Sequence, residues 1–270
     1  MTSGLNPRGD IAVAEIVVYS FLLVISGLNC VRFGFKHQDG WIFLSIFCML
    51  RLVASALVIV VEESSHPSTG IIVAEITVNN IALTPLHMAA LGFLTTCVQL
   101  ATSDDSVPSN LTQLLRISRL ALITSIVLGI IGATQLSNNT ASTTGHALSK
   151  ASVLVVTAVY CFLAFLSLYL LGFAKVIGHS RMLVTGVILA LPFLGVRIIY
   201  SILSAFSSSA SNSKFSSATG SWQIYLGMDV IMEFVVVAVL TVTGLVLASH
   251  YGQSSVPHSD YELANRKGNL

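Results

Sequence analysis

Residues 190–203 (ALPFLGVRIIYSIL) read as a membrane-spanning helix wrapped around one full positive charge, Arg197. So apolar a run does not belong on a soluble surface. Yet an arginine at mid-bilayer costs roughly 3 kcal/mol on the translocon scale, so it persists only where it faces a bundle interior and meets an anion or water. The next helix supplies two acids, Asp229 and Glu233. A helical membrane protein with a buried charged cluster follows from this stretch alone.

The rest of the chain agrees. Of 270 residues, 54% are hydrophobic and 9% charged, well below the roughly 25% charge of ordinary globular domains, and the mean hydropathy is +0.84. Apolar runs long enough to cross about 30 Å of hydrocarbon at about 1.5 Å per residue recur. They fall at 11–31, 41–61, 71–99, 116–136, 151–173, 182–206 and 222–248. The expected fold class is therefore an all-α, seven-transmembrane helix bundle over 11–248, flanked by an N-terminal tail 1–10 and a C-terminal tail 249–270. The first run exceeds a signal-peptide core and carries Glu15, so it reads as a retained helix. A net charge of +1 lacks the basic surplus that nucleic acid requires, which leaves the lipid bilayer as the evident partner. Cys30, Cys48, Cys97 and Cys161 all fall in or at the ends of spans, where cysteine packs as a small apolar residue.

Orientation follows from loop lysines and arginines, which accumulate on the cytoplasmic side. Arg32, Lys36, Arg116, Arg119, Lys175, Arg181, Arg266 and Lys267 fall on one side, and Arg8, Lys150 and Lys214 on the other. That asymmetry predicts an N-terminus outside and a C-terminus in the cytoplasm, with the choice between plasma membrane and endomembrane open. The polar segments 137–150 and 207–221 then lie outside, where Asn138 heads a glycosylation sequon; a second sequon at Asn110 lands inside.

Helix 3 is the most polar span, with Glu75, Asn79, Asn80, Pro85 and His87. Pro85 there and Pro192 in helix 6 each remove a backbone donor, so both are expected to kink their helices and open space between them. Ser125, Gly129 and Ala133 form a small-residue stripe on helix 4 that reads as packing. His87 reads as a hydrogen-bonded packing residue. Helices 2 and 6 share a pattern: Phe47, Arg51, Ser55 and Leu57 recur as Phe193, Arg197, Ser201 and Leu203. This suggests two parallel three-helix units, 1–3 and 5–7, joined by helix 4.

Depth along each helix places Arg51, Glu75, Arg197, Asp229 and Glu233 in one layer of the outer half, with Glu15 at its rim. Asp229 and Glu233 are four apart and share a helix face. Tyr200 either donates to the cluster or anchors at the headgroups. Two arginines against three or four carboxylates leave an acid-rich site, suited to proton coupling, to a general acid, or to a cationic or hydroxylated ligand. The plainer reading is a structural network that pairs Arg51 with Glu75 and Arg197 with Glu233 and only fixes helix register.

Residues 40–57 (GWIFLSIFCMLRLVASAL), Thr84-Pro85-Leu86, 190–203, Gly227–Glu233 and Ala14-Glu15-Ile16 resemble a family of seven-helix membrane proteins of filamentous fungi, known as a domain of unknown function. The resemblance implies the fold and matches Arg51, Pro85, Pro192, Arg197, Tyr200 and Glu233; His87 stands where that pattern has an apolar residue. It implies no activity and no cofactor.

Transport or handling of a small molecule or lipid is the first functional reading, on the kinked helices and the repeat. A receptor-like sensor is the second, although helix 3 ends Val98-Gln99-Leu100-Ala101 without an acid-arginine pair and helix 7 has neither an Asn-Pro turn nor a retinal-binding lysine. An intramembrane acid-catalysed enzyme resembling a terpene cyclase is the third. No metal centre is expected, since one in-span histidine does not make a zinc site. Protein partners are not legible in the sequence.

Overall fold

The computed structural model describes residues 7–33, 39–64, 68–102, 109–137, 142–172, 179–207 and 222–254. These form seven long helices, each apolar and long enough to span a membrane, and no strand occurs among the described residues. They are α1 (Pro7–Phe33), α2 (Asp39–Glu63), α3 (Thr69–Thr102), α4 (Ser109–Ser137), α5 (Ser142–Gly172) and α6 (His179–Ser207). The seventh, α7, runs from Trp222–Tyr225 through a π-helical turn, Leu226–Ile231, into Met232–Ser254. With no water in hydrocarbon to satisfy the backbone, continuous helices are the form such segments must take.

Helices begin and end where backbone groups find substitutes. Pro7 opens α1, where its missing N–H costs nothing, and Asp10 complements the positive end of the helix. Ser64 closes α2 by donating from Oγ to the Val60 carbonyl at 2.7 Å. Within the spans, hydroxyls are satisfied on their own helices: Ser118 Oγ donates to Leu114 O at 3.0 Å and Thr243 Oγ1 to Val239 O at 2.7 Å.

Several helices are longer than hydropathy predicts. α4 starts at Ser109 rather than 116, α5 at Ser142 rather than 151, and α7 runs to Ser254 rather than 248. A helix needs only backbone continuity and good helix formers, whereas a hydropathy window ends where polar side chains leave the hydrocarbon. Arg116, Arg119 and Lys150 therefore lie on helix ends and not in loops, and most of the segment 137–150 is helical. α1 likewise starts at Pro7, inside the expected tail 1–10. Asn138 and its sequon lie outside the described residues.

Burial is inverted relative to a soluble protein. Large apolar side chains such as Phe21, Leu28, Val31, Phe165 and Leu168 point outward, while arginines and carboxylates are enclosed. α3 is the central helix: 83% of its apolar window is buried, against 22% for α1 and α4. Chain neighbours pack on each other, and α3 also packs on α6. α4 and α5 approach backbone to backbone at Gly132 and Gly145, where a Cβ on either would lie 3.0 Å from the other's carbonyl oxygen. Edge-to-face pairs, Tyr19 with Phe47 at 5.7 Å and Trp41 with Phe93 at 6.0 Å, lock α1 to α2 and α2 to α3.

Candidate functional site

The charged residues of α2, α6 and α7 meet in a closed ring. Arg51 on α2 donates from Nε to Glu233 Oε2 and reaches Asp229 Oδ2 from Nη2 at 3.3 Å. Arg197 on α6 donates from Nε to Glu233 Oε1 at 2.5 Å and lies 2.6 Å from Asp229 Oδ1. Each carboxylate of α7 thus bridges both arginines, and every charge has two opposite neighbours. Arg51, Asp229 and Glu233 are fully enclosed and Arg197 is 1% exposed. In so dry a place alternation is the arrangement that offsets desolvation, because a buried charge left unpaired costs several kcal/mol.

Two more helices close on Arg51. Asn79 on α3 accepts from its Nη1 at 2.7 Å and donates to Asp229 Oδ2 at 3.3 Å. Glu15 on α1 lies 3.8 Å from Nη1 and accepts from Ser55 Oγ at 2.6 Å. Arg197 has different company: its Nη1 donates to Ser201 Oγ, one turn on in α6, at 2.7 Å, and its guanidinium carbon lies 5.6 Å from the Tyr200 ring centre. Its Nη2 has no hydrogen-bond partner among the described residues.

The expected pairing of Arg51 with Glu75 does not form. Arg51 is taken by Glu233, Asp229 and Glu15, while Glu75 is buried one helical turn from Asn79 and lies within electrostatic range of Arg8. The deeper acids win because α7 reaches Arg51 nearer its own depth. Arg197 does pair with Glu233, and also with Asp229. Tyr200 offers its ring face to the arginine.

Asp229 lies in the π turn of α7. Such a turn inserts an extra residue per helical turn and is frequent at functional sites. Asp229 lies within it and Glu233 just after it, and both carboxylates span the same two guanidiniums.

Beside this ring lies a cavity of about 330 Å³ bounded by α3, α4, α5 and α6. It occupies the half of the bundle nearer the start of α1, since the early turns of α3 and α5 and the late turns of α4 and α6 line it. Its wall is apolar at Ile76, Ile126, Val153, Val156 and Ile198, and hydroxylated at Thr77, Thr84, Ser149, Ser201 and Ser204. Pro85 lies in α3 just after Thr84, and the donor it lacks leaves the Ile81 carbonyl, also on this wall, without its helical partner. Pro192 lies on the exposed face of α6, away from the cavity; both helices continue through their prolines.

Of Ser125, Gly129 and Ala133, read from sequence as a packing stripe, the first two meet α5: Ser152 Oγ donates to Ser125 O at 2.7 Å and would lie 3.3 Å from a Cβ on Gly129. They also line the cavity. His146, expected in a loop, is on α5 and faces the same space. His87 is fully buried, with Nδ1 2.9 Å from Leu83 O and its ring edge-on to Tyr160. Asn79, the Ser55–Glu15 bond and the Arg197–Ser201 bond were missed as a set, although Ser55 and Ser201 each stand four residues after an arginine.

The family model described as Domain of unknown function (DUF7702) matches residues 5–250, so the chain belongs to that family. No curated protein and no solved structure matches it.

Proposed function

We propose that this member of the DUF7702 family binds a small molecule or lipid within the membrane and serves its transport or handling. The observation that carries this reading is the cavity. Its volume of about 330 Å³ lies within the roughly 300–1,000 Å³ of ligand pockets, and an apolar wall with a few placed polar groups is how such pockets are built. The ionic ring next to it holds α2, α6 and α7 in one register, so the cavity has a rigid side along α6. The charge asymmetry of the chain supports an N-terminus outside, and the resemblance supports a fungal origin; both are parts of the proposal.

The test uses the full chain reconstituted in nanodiscs, with bound small molecules extracted and identified by mass spectrometry. Ala133→Phe and Ser204→Phe fill the cavity from two different walls. A molecular species present in the native extract and depleted in both variants, at unchanged thermal midpoint, is the expected result. Identical extracts from all three proteins overturn the reading.

A further inference from the structure

We infer that the cavity takes a neutral, apolar molecule bearing a carbonyl oxygen, and that Ser201 is the donor that seats this oxygen. This rests on the cavity being a ligand site.

Ser201 belongs both to the cavity wall and to the ionic ring. Its Oγ accepts a hydrogen bond from Arg197 Nη1 at 2.7 Å, so its own proton must be donated elsewhere. Other buried serines have an acceptor for that proton: Ser118, Ser125 and Ser167 a carbonyl of their own helix, and Ser55 the Glu15 carboxylate. Ser201 makes no such bond to a described residue, although it is 4% exposed and lines the cavity. A hydroxyl that accepts from a guanidinium is polarised toward donating, which strengthens what it can offer an acceptor.

A carbonyl oxygen has lone pairs that can accept from the Ser201 hydroxyl, whereas an alkane accepts nothing. Leaving a buried donor without a partner costs affinity, so the site discriminates against a ligand that lacks the oxygen.

Charge disfavours an anion, and an ammonium cation has no lone pair with which to accept from Ser201. The described cavity wall includes no lysine or arginine. The ring behind Ser201 sets Arg51 and Arg197 against Glu15, Asp229 and Glu233, an excess of one carboxylate. A second anion next to that excess would be repelled in a medium of low dielectric. A ketone, aldehyde or ester fits where a carboxylate or phosphate does not.

Three labelled probes of equal chain length test this on the full chain in nanodiscs: a medium-chain methyl ketone, the parent alkane and the corresponding carboxylate. In the native protein the ketone is expected to bind about tenfold more tightly than the alkane, the effect of one good hydrogen bond, and the carboxylate most weakly. Ser201→Ala brings the ketone down to the alkane's affinity while alkane binding persists, which shows that the cavity is intact; Ser201→Thr restores the preference. Equal ketone and alkane affinities in the native protein, a preference that survives Ser201→Ala, or tightest binding of the carboxylate would each overturn the inference while leaving the cavity a ligand site. Alkane and ketone binding that both survive Ala133→Phe unchanged, or no binding of any probe, would overturn the cavity reading and this inference with it.

Discussion

Two arginines in the same local sequence live in different company. Around Arg51 and around Arg197 the chain repeats Phe, Arg, Ser and Leu at the same offsets, and both guanidiniums contact Asp229 and Glu233. Beyond those acids the environments part. Arg51 is clasped by α1, α3 and α7, and Ser55, its companion one turn on, turns away to hold Glu15. Arg197 is held by α7 and by Ser201 of its own helix, which lines the cavity, and its Nη2 has no partner among the described residues. The same motif thus makes a fastener on α2 and, on α6, an arginine whose serine companion faces the cavity. Tertiary surroundings assign the role, and the motif supplies only the charge.

The largest effect that tests this contrast is truncation of each arginine. Arg51→Ala leaves the two carboxylates of α7 to Arg197 alone and takes the cation from buried Glu15 and Asn79, and is expected to cost about 3–5 kcal/mol. Arg197→Ala leaves Arg51 between the same acids and costs less. Thermal unfolding of the purified protein, together with the yield of folded protein, gives the order; the reverse order breaks the comparison.

Neutralising the bridging acids comes next. Glu233→Gln removes a charge that accepts from both arginines and should cost about 1.5–3 kcal/mol, the range for hydrogen bonds to charged groups. Asp229→Asn should cost less, because its contact with Arg51 is the looser one at 3.3 Å. Equal costs would mean that the two carboxylates are interchangeable.

The two serines give the smallest change in stability and the sharpest contrast. Ser55→Ala deprives buried Glu15 of a donor and should cost about 1 kcal/mol. Ser201→Ala leaves Arg197 with both acids and should cost no more than that in stability, yet it alone should alter ligand preference. A ligand effect from Ser55→Ala would blur the distinction between α2 and α6.

Much of this was legible before any coordinates. Seven spans follow from apolar length, and the meeting of Arg51 and Arg197 with Asp229 and Glu233 follows from the cost of a charge in hydrocarbon. Most of what escaped depends on rotation about a helix axis. Glu75 is the exception: it shares a face of α3 with Asn79, which reaches Arg51, but stands one turn before it. Azimuth is set by packing, and α7 also contains a π turn that its sequence does not announce. The cavity escaped for the same reason, since its wall draws on four helices whose relative rotations no single stretch encodes. The early start of α5, which carries His146 to that wall, was hidden by polar residues that end a hydropathy window without ending a helix.

The ionic ring also has a consequence for biogenesis. Arg51 and Glu233 stand 182 residues apart, and both bridging acids arrive on the seventh described helix. Until α7 enters, two guanidiniums wait in the membrane with Glu15 as their one carboxylate in the ring. A chain interrupted before Trp222 therefore holds two guanidiniums in hydrocarbon without the acids that bridge them, and entry of α7 relieves that cost.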